Sequence, residues 1–559
     1  MRRQPLRLHR MADAALLAAV LASFVATCLI SVARGYMWYD EIISWQILNR
    51  PDFGSMWAAV SDLIGGPPVY FLLAAGWRAL LGTDETTLRL LTTLSFVLAF
   101  AVVWTTTRRG FGFWSTAFGL LAAFCTSWTV IGQIPEIRYY GVLTAGVALA
   151  FRLYVALAAD GRPSALLLAA NAVVQAFLVM THVYGGVYGA ALLGALLAVD
   201  VMERRFRPLS YLSFPMGWAA FIGWLPAFHR QGDVVKPHAW MQPPTPKDLT
   251  ATMGGIVTSM AFIVLALVVL ATLVGQAQGQ RTAGKADAHL PPDPGRTRMR
   301  RNLVVGAVAL ACVPFASFVL SHVAEPIFMP RYLLASVIGW GVLFTFVAAW
   351  FDFDRHLAVP AHAVPAPPWQ RIAQGTAATY VAGLLALPPA AVLVQPVQSP
   401  QQYAVRACRD LPVVVMHALK FMQTQQYLAD RERYTYVLDW DAAMDPGTAL
   451  HDSNDFKILR NFKEHVPHFN IVDSADFLAT HSRFLVAEER GLRWVDVRLR
   501  YSDDWRVSRI GTDLLLVERA DTPTYLLSST RNRIADERSA NDPCEPGKAL
   551  HAARAGAPG

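Results

Sequence analysis

The sequence predicts a multi-span α-helical membrane protein that ends in a soluble α/β domain. Of its 559 residues, 16% are charged, and the charged side chains are unevenly distributed. Residues 1–399 hold 46 of the 90 Asp, Glu, Lys and Arg side chains, and residues 400–559 hold 44. The first part is therefore about 12% charged and the second about 27%, against roughly 25% in an average soluble protein. This contrast excludes a single soluble globule and a disordered chain.

Eleven apolar runs are long enough, at roughly 17–25 residues, to cross a hydrocarbon core of about 30 Å. The first follows a basic N-terminus, but it lacks a small-residue cleavage site, so we interpret it as a retained anchor and not a signal peptide. The runs cover residues 11–33, 88–107, 112–131, 139–158, 164–182, 185–200, 209–227, 249–274, 303–321, 332–350 and 373–395.

The orientation depends on residues 67–82, which begin with two prolines and contain Trp77 and Arg78. If this stretch does not cross, the loops on the N-terminal side hold 18 Lys and Arg residues and the opposite short loops hold 7. Counting it as a span would invert every later loop, against the positive-inside rule. We therefore interpret 67–82 as an interfacial or re-entrant helix. The net charge of +8 then reflects membrane loops and indicates no nucleic-acid partner.

This topology divides the chain into three parts. Residues 1–395 form the transmembrane part, and its first outer loop, 34–87, carries interfacial helices. Residues 396–525 alternate short strands and helices, which predicts an α/β domain without a nucleotide-binding glycine motif. Residues 526–559 are polar and rich in Pro and Gly, which predicts disorder. The N-terminus is expected in the cytoplasm and the α/β domain in the periplasm, across a bacterial inner membrane.

Two of the five cysteines, Cys408 and Cys544, bracket the exported domain. A disulfide between them fits an oxidising compartment. Two unpaired thiols are the alternative, and the sequence leaves both open.

Ionisable residues at membrane depth are costly, and here they collect on the predicted outer face. Taken singly, each has a simpler explanation as a solvated turn, an interfacial anchor or a capped histidine. Their convergence on one side favours a site. The candidates are Asp40, Glu41, Glu136, Arg138, Tyr139, His182, His322, Glu325, Arg331 and Tyr332.

A carboxylate, guanidinium groups and a lipid-exposed flank suit a substrate with a hydrocarbon tail and a phosphate head. The carboxylate can take a proton from an acceptor hydroxyl as a general base. The arginines can bind the phosphate and stabilise the charge that develops on it. The chemistry that these residues predict is sugar transfer from a polyprenyl-phosphate donor.

Five motifs in order resemble the integral-membrane glycosyltransferases of the GT-C fold, relatives of protein O-mannosyltransferases and of the lipid A aminoarabinose transferase. The resemblance covers about residues 11–350. It is carried by MWYDEIISW, by GGPPVYFLLAAGWRALLGTDETTLRLLTTLSF, by EIRYYGVL, by THVYGGVY and by MPRYLLAS.

The resemblance implies that Asp40 is the catalytic base and that Glu41 positions the acceptor or a cation. It implies that Arg138 and Arg331, with Tyr332, contact the lipid phosphate, and that the reaction inverts the sugar. Gly66 stands where the family commonly has a histidine before two prolines. Some members use a divalent cation and others do not, so the cofactor stays open.

The implied partners are membrane lipids, a polyprenyl-phosphate sugar and an acceptor that is an envelope glycan, a lipid or a protein. Two other function classes remain at this stage. A transporter of a lipid-linked or anionic substrate would also have many spans, although its ionisable groups usually lie near the bilayer midplane. An inactive envelope-assembly protein of the same fold is the other alternative.

Overall fold

The computed structural model describes a large helical part followed by a small domain built on one mixed sheet. The described residues are 4–520 without the internal stretches 63–65, 236–242, 268–269, 271–292, 325, 352, 358–367, 398, 446–454, 488–493, 501 and 512. The stretch 526–559, predicted to be disordered, lies outside the described residues.

The helical part places a helix in every apolar run that the sequence predicts. Short 3-10 turns at Ala219–Trp224, Pro330–Tyr332 and Leu334–Ser336 join some of them. The α-helices are Gln4–Arg34, Tyr39–Leu48, Phe53–Asp62, Val69–Leu81, Glu85–Thr107, Phe113–Thr126, Trp128–Gln133, Tyr140–Ala159, Ala165–Thr181, Tyr184–Glu203, Pro208–Trp218, Leu225–Val235, Pro246–Ile256, Ser259–Leu267, Pro294–Ala311, Val313–Val323, Val337–Trp350, Phe353–Leu357 and Pro368–Val394.

Six helical stretches among the described residues are long and apolar enough to cross a membrane, and the helices around residue 257, bent by 50°, would make a seventh if they form one span. The protein is thus a membrane protein, while the count of eleven spans stays a prediction. Predicted runs 112–131, 164–182 and 332–350 hold apolar helices of fewer than 18 residues. The six are Arg10–Arg34, Glu85–Thr107, Tyr140–Ala159, Tyr184–Glu203, Pro294–Val323 and Gln374–Val394.

The doubtful stretch 67–82 forms the helix Val69–Leu81. Its 13 residues extend about 20 Å, well short of a 30 Å core. Tyr70 and Phe71 are buried, and Arg78 donates to the Leu48 carbonyl at the end of the helix Tyr39–Leu48. A short helix pinned to its neighbours in this way is compatible with an interfacial position, although its orientation in a membrane stays a prediction.

Two glycines let long helices approach closely. A Cβ on Gly141 would lie 2.4 Å from the Thr92 carbonyl oxygen, and one on Gly119 would lie 2.3 Å from the Thr345 backbone nitrogen. Small residues at such crossings allow the two backbones to pack closely. Close packing stabilises helix association in lipid, where the hydrophobic effect does not drive it. The crossing at Gly141 brings the start of Tyr140–Ala159 against Glu85–Thr107, where the charged side chains described below meet.

The C-terminal domain is α/β, as predicted. Its sheet has the order β3-β2-β1-β4-β6-β5, in which β1, β2, β3 and β4 are parallel and β5 and β6 are antiparallel additions. Strands β1 and β2 are buried at every position, which is typical of parallel strands whose sheet is covered on both faces. The strands are β1 Val413–Val415, β2 Tyr434–Leu438, β3 Ile471–Asp473, β4 Arg483–Ala487, β5 Trp505–Arg509 and β6 Leu514–Arg519, and the helices are Ala418–Tyr427, Trp440–Met444, Asp455–His465, Ser474–Thr480 and Trp494–Arg498.

The cysteines divide as the sequence grouped them. Cys28, Cys125 and Cys312 are free thiols, and Cys408 is disulfide-bonded. Its predicted partner, Cys544, lies outside the described residues, so the pairing itself stays a prediction.

Candidate active site

Asp40 lies at the start of the helix Tyr39–Leu48, directly after the first long helix. Its side chain is 13% exposed and faces two arginines. Arg331 Nη1 lies 2.7 Å from Asp40 Oδ2, and Arg138 Nη2 lies 3.8 Å from the same oxygen. The structure therefore brings together three residues that are separated in sequence by up to 291 positions.

Glu41 is a different kind of carboxylate from Asp40, because both of its oxygens already have partners. Oε1 accepts from the Ile137 backbone N–H at 3.0 Å and lies 3.1 Å from Arg89 Nε. Oε2 accepts from Arg89 Nη2 and from the Trp38 backbone N–H, both at 3.1 Å. Burial raises the pKa of Glu41, and the Arg89 charge opposes that rise. This carboxylate ties three segments together, and its predicted role in positioning an acceptor or a cation stays a prediction.

Arg138 is held from several sides. Nη1 donates to Ser44 Oγ at 3.3 Å and Nη2 to Tyr139 Oη at 3.2 Å, while the guanidinium lies 4.7 Å from the Tyr139 ring centroid. Ser44 is one turn after Asp40 on the same helix, so the contact aligns Arg138 along the helix that carries the carboxylate.

Glu136 is a third acidic group of this cluster and is partly exposed. Burial, and then the negative charges of Glu41 and Asp40, raise its pKa, whereas Arg331 and Arg138 oppose the rise. A carboxyl group in this setting holds its proton at a higher pH than an ordinary glutamic acid.

Aromatic rings close one side of the arginine pair. The His182 ring centroid lies 4.7 Å from that of Tyr139 and 4.6 Å from that of Tyr332. His182 Nδ1 accepts from the Tyr184 backbone N–H at 3.2 Å, so the other ring nitrogen is the one that carries the proton when the ring is neutral. Tyr140, 6.3 Å from the Tyr332 ring, completes the wall.

Two predicted site residues lie elsewhere or cannot be placed. His322 is exposed at the end of Val313–Val323, where its Nδ1 pairs with the Phe318 carbonyl at 2.8 Å. The sequence grouped it with Arg331 because both lie in one predicted outer loop, but among the described residues no hydrogen bond or ring contact joins the two side chains. Glu325 lies outside the described residues.

Sequence reasoning missed Arg89 and Glu85. Arg89 is only 2% exposed and bonds Glu41 as well as Glu85, whose Oε1 lies 2.9 Å from Arg89 Nη2. A signal was present, because an arginine four residues after a glutamate inside an apolar run must find a partner. The pattern could not show that the second partner is Glu41.

Several buried polar atoms of the cluster have no hydrogen-bond partner among the described residues. A buried polar atom of this kind normally pairs with water or a ligand. Among the described residues, no hydrogen-bond partner exists for Glu136 Oε2, Arg138 Nε, Arg331 Nε or Tyr140 Oη. Two of the four are guanidinium donors, so the cluster is best suited to an anion.

Gly66 lies before the two prolines with a φ of +80°, and a Cβ there would meet nothing within 4 Å. This left-handed backbone favours glycine, and it differs from what a histidine would readily adopt. Gly66 therefore has a backbone conformation that L side chains rarely adopt, at the position where the family commonly has a histidine.

Comparison with solved structures shows the fold. The chain is similar to ArnT from Cupriavidus metallidurans bound to undecaprenyl phosphate, with a TM-score of 0.50, 14% identity, and coverage of 90% of this chain and 97% of that chain. The apo state of the same ArnT gives a TM-score of 0.53 at 12% identity, covering 91% and 99%. No protein-family model and no curated protein matches the sequence. The predicted GT-C-like fold is confirmed over most of the chain.

Proposed function

We propose that this protein is a membrane glycosyltransferase that moves a sugar from a polyprenyl-phosphate donor to an acceptor at the outer face of a bacterial inner membrane. The fold supports the proposal, since the similar ArnT was crystallised with undecaprenyl phosphate. The observation that carries it is local. A carboxylate, Asp40, lies between two guanidinium groups at one end of the helices, beside donors that have no hydrogen-bond partner in the described part of the chain.

In this mechanism Asp40 is the general base. Its carboxylate takes the proton of an acceptor hydroxyl, whose oxygen forms a bond to the anomeric carbon of the sugar. The bond from that carbon to the phosphate oxygen breaks, and the electron pair leaves with the phosphate. Attack from the face opposite the phosphate inverts the anomeric configuration.

Arg331 and Arg138 bind the lipid phosphate in the proposal. Guanidinium groups suit phosphate because their N–H donors can bind two oxygens at once, and they stabilise the charge that grows on the leaving group. Arg331 also pairs with Asp40 at 2.7 Å. A donor phosphate would compete for this arginine, which would release the carboxylate for the acceptor only when the donor is bound.

Among the described residues, the side chains that could bind this phosphate are arginines, and there is no group of three metal-ligating side chains. Within those ranges no three His, Cys, Asp or Glu side chains group as metal ligands, and Glu41 is already saturated by Arg89. The proposed steps therefore use the two guanidinium groups.

The position of the cluster distinguishes the transferase from a transporter. Arg138 precedes the first turn of Tyr140–Ala159, and His182 follows the last turn of Ala165–Thr181, so the charged groups lie at helix ends. A transporter site is expected near the middle of the spans on broken helices. Retention of Asp40 beside both arginines argues against an inactive relative.

Asp40→Asn tests the role of the base. Purified protein is given undecaprenyl phosphate that carries radiolabelled mannose, glucose or aminoarabinose, together with an envelope extract as acceptor. The variant should transfer label about 100- to 10,000-fold more slowly than the native protein, because an amide cannot take the proton. Binding of undecaprenyl phosphate should persist.

Asp52→Asn is the matched control, since Asp52 lies in the same outer loop and its carboxylate accepts from the neighbouring Ser55. It should retain full transfer. Native rates in Asp40→Asn would remove Asp40 from the mechanism, and no transfer by the native protein with any of these donors and acceptors would contradict the proposed activity.

A further inference from the structure

The helix Ala418–Tyr427 of the C-terminal domain contacts the segment that carries Asp40. Tyr427 Oη accepts from the Met37 backbone N–H at 2.9 Å, and Gln423 Nε2 donates to the Met37 carbonyl at 2.9 Å. The Tyr427 ring also meets Tyr36 edge to face, with centroids 4.9 Å apart. One helix of the soluble domain thus binds both polar groups of a backbone unit three residues before Asp40.

Tyr427 also ends a buried chain of charges. Its hydroxyl donates to Glu85 Oε2 at 3.4 Å, Glu85 binds Arg89, and Arg89 binds Glu41. Glu85 and Glu41 carry two negative charges against the single positive charge of Arg89. A hydrogen-bond donor at the open end of this chain partly compensates the excess negative charge.

Glu41 links this series of hydrogen-bonded charges to the backbone on both sides of the site. It bonds the backbone N–H of Trp38 on one side and that of Ile137 on the other. These groups lie two residues before Asp40 and one residue before Arg138. The position of Glu41 therefore sets how far the carboxylate stands from the guanidinium that is 3.8 Å away.

The Tyr427 hydroxyl is suited to a permanent donor role. Burial, and then the negative charge of Glu85, raise the pKa of Tyr427, so the hydroxyl keeps its proton throughout the range in which the protein would work.

We propose that Tyr427 is a positioning residue, through which the C-terminal domain holds the Glu85–Arg89–Glu41 chain and so keeps Asp40 aligned with Arg138. The proposal rests on the proposed transferase function. It gives the soluble domain a defined part in the membrane site: the helix Ala418–Tyr427 supports the acidic segment from outside, without contacting the substrate.

Tyr427→Phe in the full-length protein tests this role, because it removes the hydroxyl and keeps the ring that packs on Tyr36. The kcat of sugar transfer should fall about tenfold, the effect of one lost hydrogen bond on alignment, while KM for the undecaprenyl-phosphate sugar stays within about twofold. Glu85→Gln combined with Tyr427→Phe should lose no more than the stronger single variant, since both act through one chain.

Hydrogen exchange supplies a readout that is independent of activity. In the native protein in detergent, peptides covering 36–41 and 135–139 should be protected, and in Tyr427→Phe they should exchange at least about threefold faster. Tyr403→Phe is the control, because Tyr403 lies in the same domain and faces Lys420, 5.3 Å from its ring centroid. It should change neither exchange nor kcat.

Three outcomes overturn the inference: unchanged exchange in Tyr427→Phe, faster exchange with an unchanged kcat, or equal effects in Tyr403→Phe. If the native protein itself transfers no sugar, the proposed function fails. The exchange rates then still decide whether Tyr427 holds the acidic segment.

Discussion

Two acid–arginine clusters lie at opposite ends of the helical part, and they differ in how completely their bonds are used. Asp200, at the end of Tyr184–Glu203, accepts from Arg207 Nε at 2.9 Å and from Tyr211 Oη at 2.6 Å. The other guanidinium N–H groups of Arg207 donate to Asp200 Oδ1 and to the Leu157 and Asp160 carbonyls. The two side chains are 2% and 6% exposed.

The Asp40 cluster lies about 30 Å away along the same helices, since Tyr184–Glu203 has 20 residues. There Asp40 is 13% and Arg331 19% exposed, and Arg331 Nε has no partner among the described residues. An ion pair whose donors and acceptors are all hydrogen-bonded and shielded from water serves to hold the helices together. An ion pair with an unpaired N–H donor and some solvent exposure can exchange its partner for a ligand.

Breaking the saturated pair should give the largest effect on stability. Arg207→Ala leaves the Asp200 carboxylate buried without its partner, which typically costs about 3–5 kcal/mol of unfolding free energy. Unfolding titrated with SDS and followed by tryptophan fluorescence measures this loss. Arg162→Ala, at an exposed arginine of the same end, should leave the free energy unchanged, and a loss in that variant as large as in Arg207→Ala would contradict the comparison.

Arg331→Ala should show the opposite pattern. Transfer should fall about 10- to 100-fold, because a charge-assisted bond to the donor phosphate is worth about 1.5–3 kcal/mol. Stability should change by less than about 1 kcal/mol, since a partly exposed ion pair contributes little. The control is Arg230→Ala, at an exposed arginine that lies 3.7 Å from Asp62. Unchanged transfer together with a large loss of stability would assign Arg331 to structure.

The smallest effect concerns Glu136, whose raised pKa gives the open cluster a pH signature. The folded carboxyl holds a proton at pH values where the unfolded one has lost it. Its stabilising contribution is therefore fully present below about pH 4.3, the ordinary value for glutamic acid, and is lost as pH rises through the raised value.

Glu136→Gln should remove that contribution, so the unfolding free energy of the variant should fall less as pH rises, by at least about 1 kcal/mol, roughly the free energy of one pKa unit. SDS titrations at a series of pH values measure the difference. Glu464→Gln, at an exposed carboxylate of the soluble domain, is the control, and identical pH profiles for Glu136→Gln and the native protein would contradict the assignment.

Features that depend on composition could be predicted from the sequence, and features that depend on contacts in the folded protein could not. Charge density predicted the membrane part and the soluble α/β domain, because the solvent dictates composition over long stretches. The one-sided distribution of Asp40, Arg138 and Arg331 predicted that they would meet, and the structure brings them together, although their roles remain proposals. Composition could not separate Glu41 from its neighbour Asp40, since saturation depends on Arg89, 48 residues further along the chain.

The same limit explains the other differences. His322 was grouped with Arg331 because both lie in one predicted outer loop, whereas its ring pairs with Phe318 on its own helix. The contact between Tyr427 and Met37 could not be foreseen either, because it joins residues 390 positions apart. Sequence patterns report local solvent and periodicity, whereas bond saturation is a property of the folded contacts.

Photo-crosslinking tests most directly which cluster binds the lipid phosphate. The probe is undecaprenyl phosphate with a photoreactive group next to the phosphate, applied to the native full-length protein in detergent, with and without excess undecaprenyl phosphate. The account predicts competable labelling of peptides that contain residues 136–140 and 329–334. Competable labelling around Asp200 and Arg207, with none near Arg331, would contradict it.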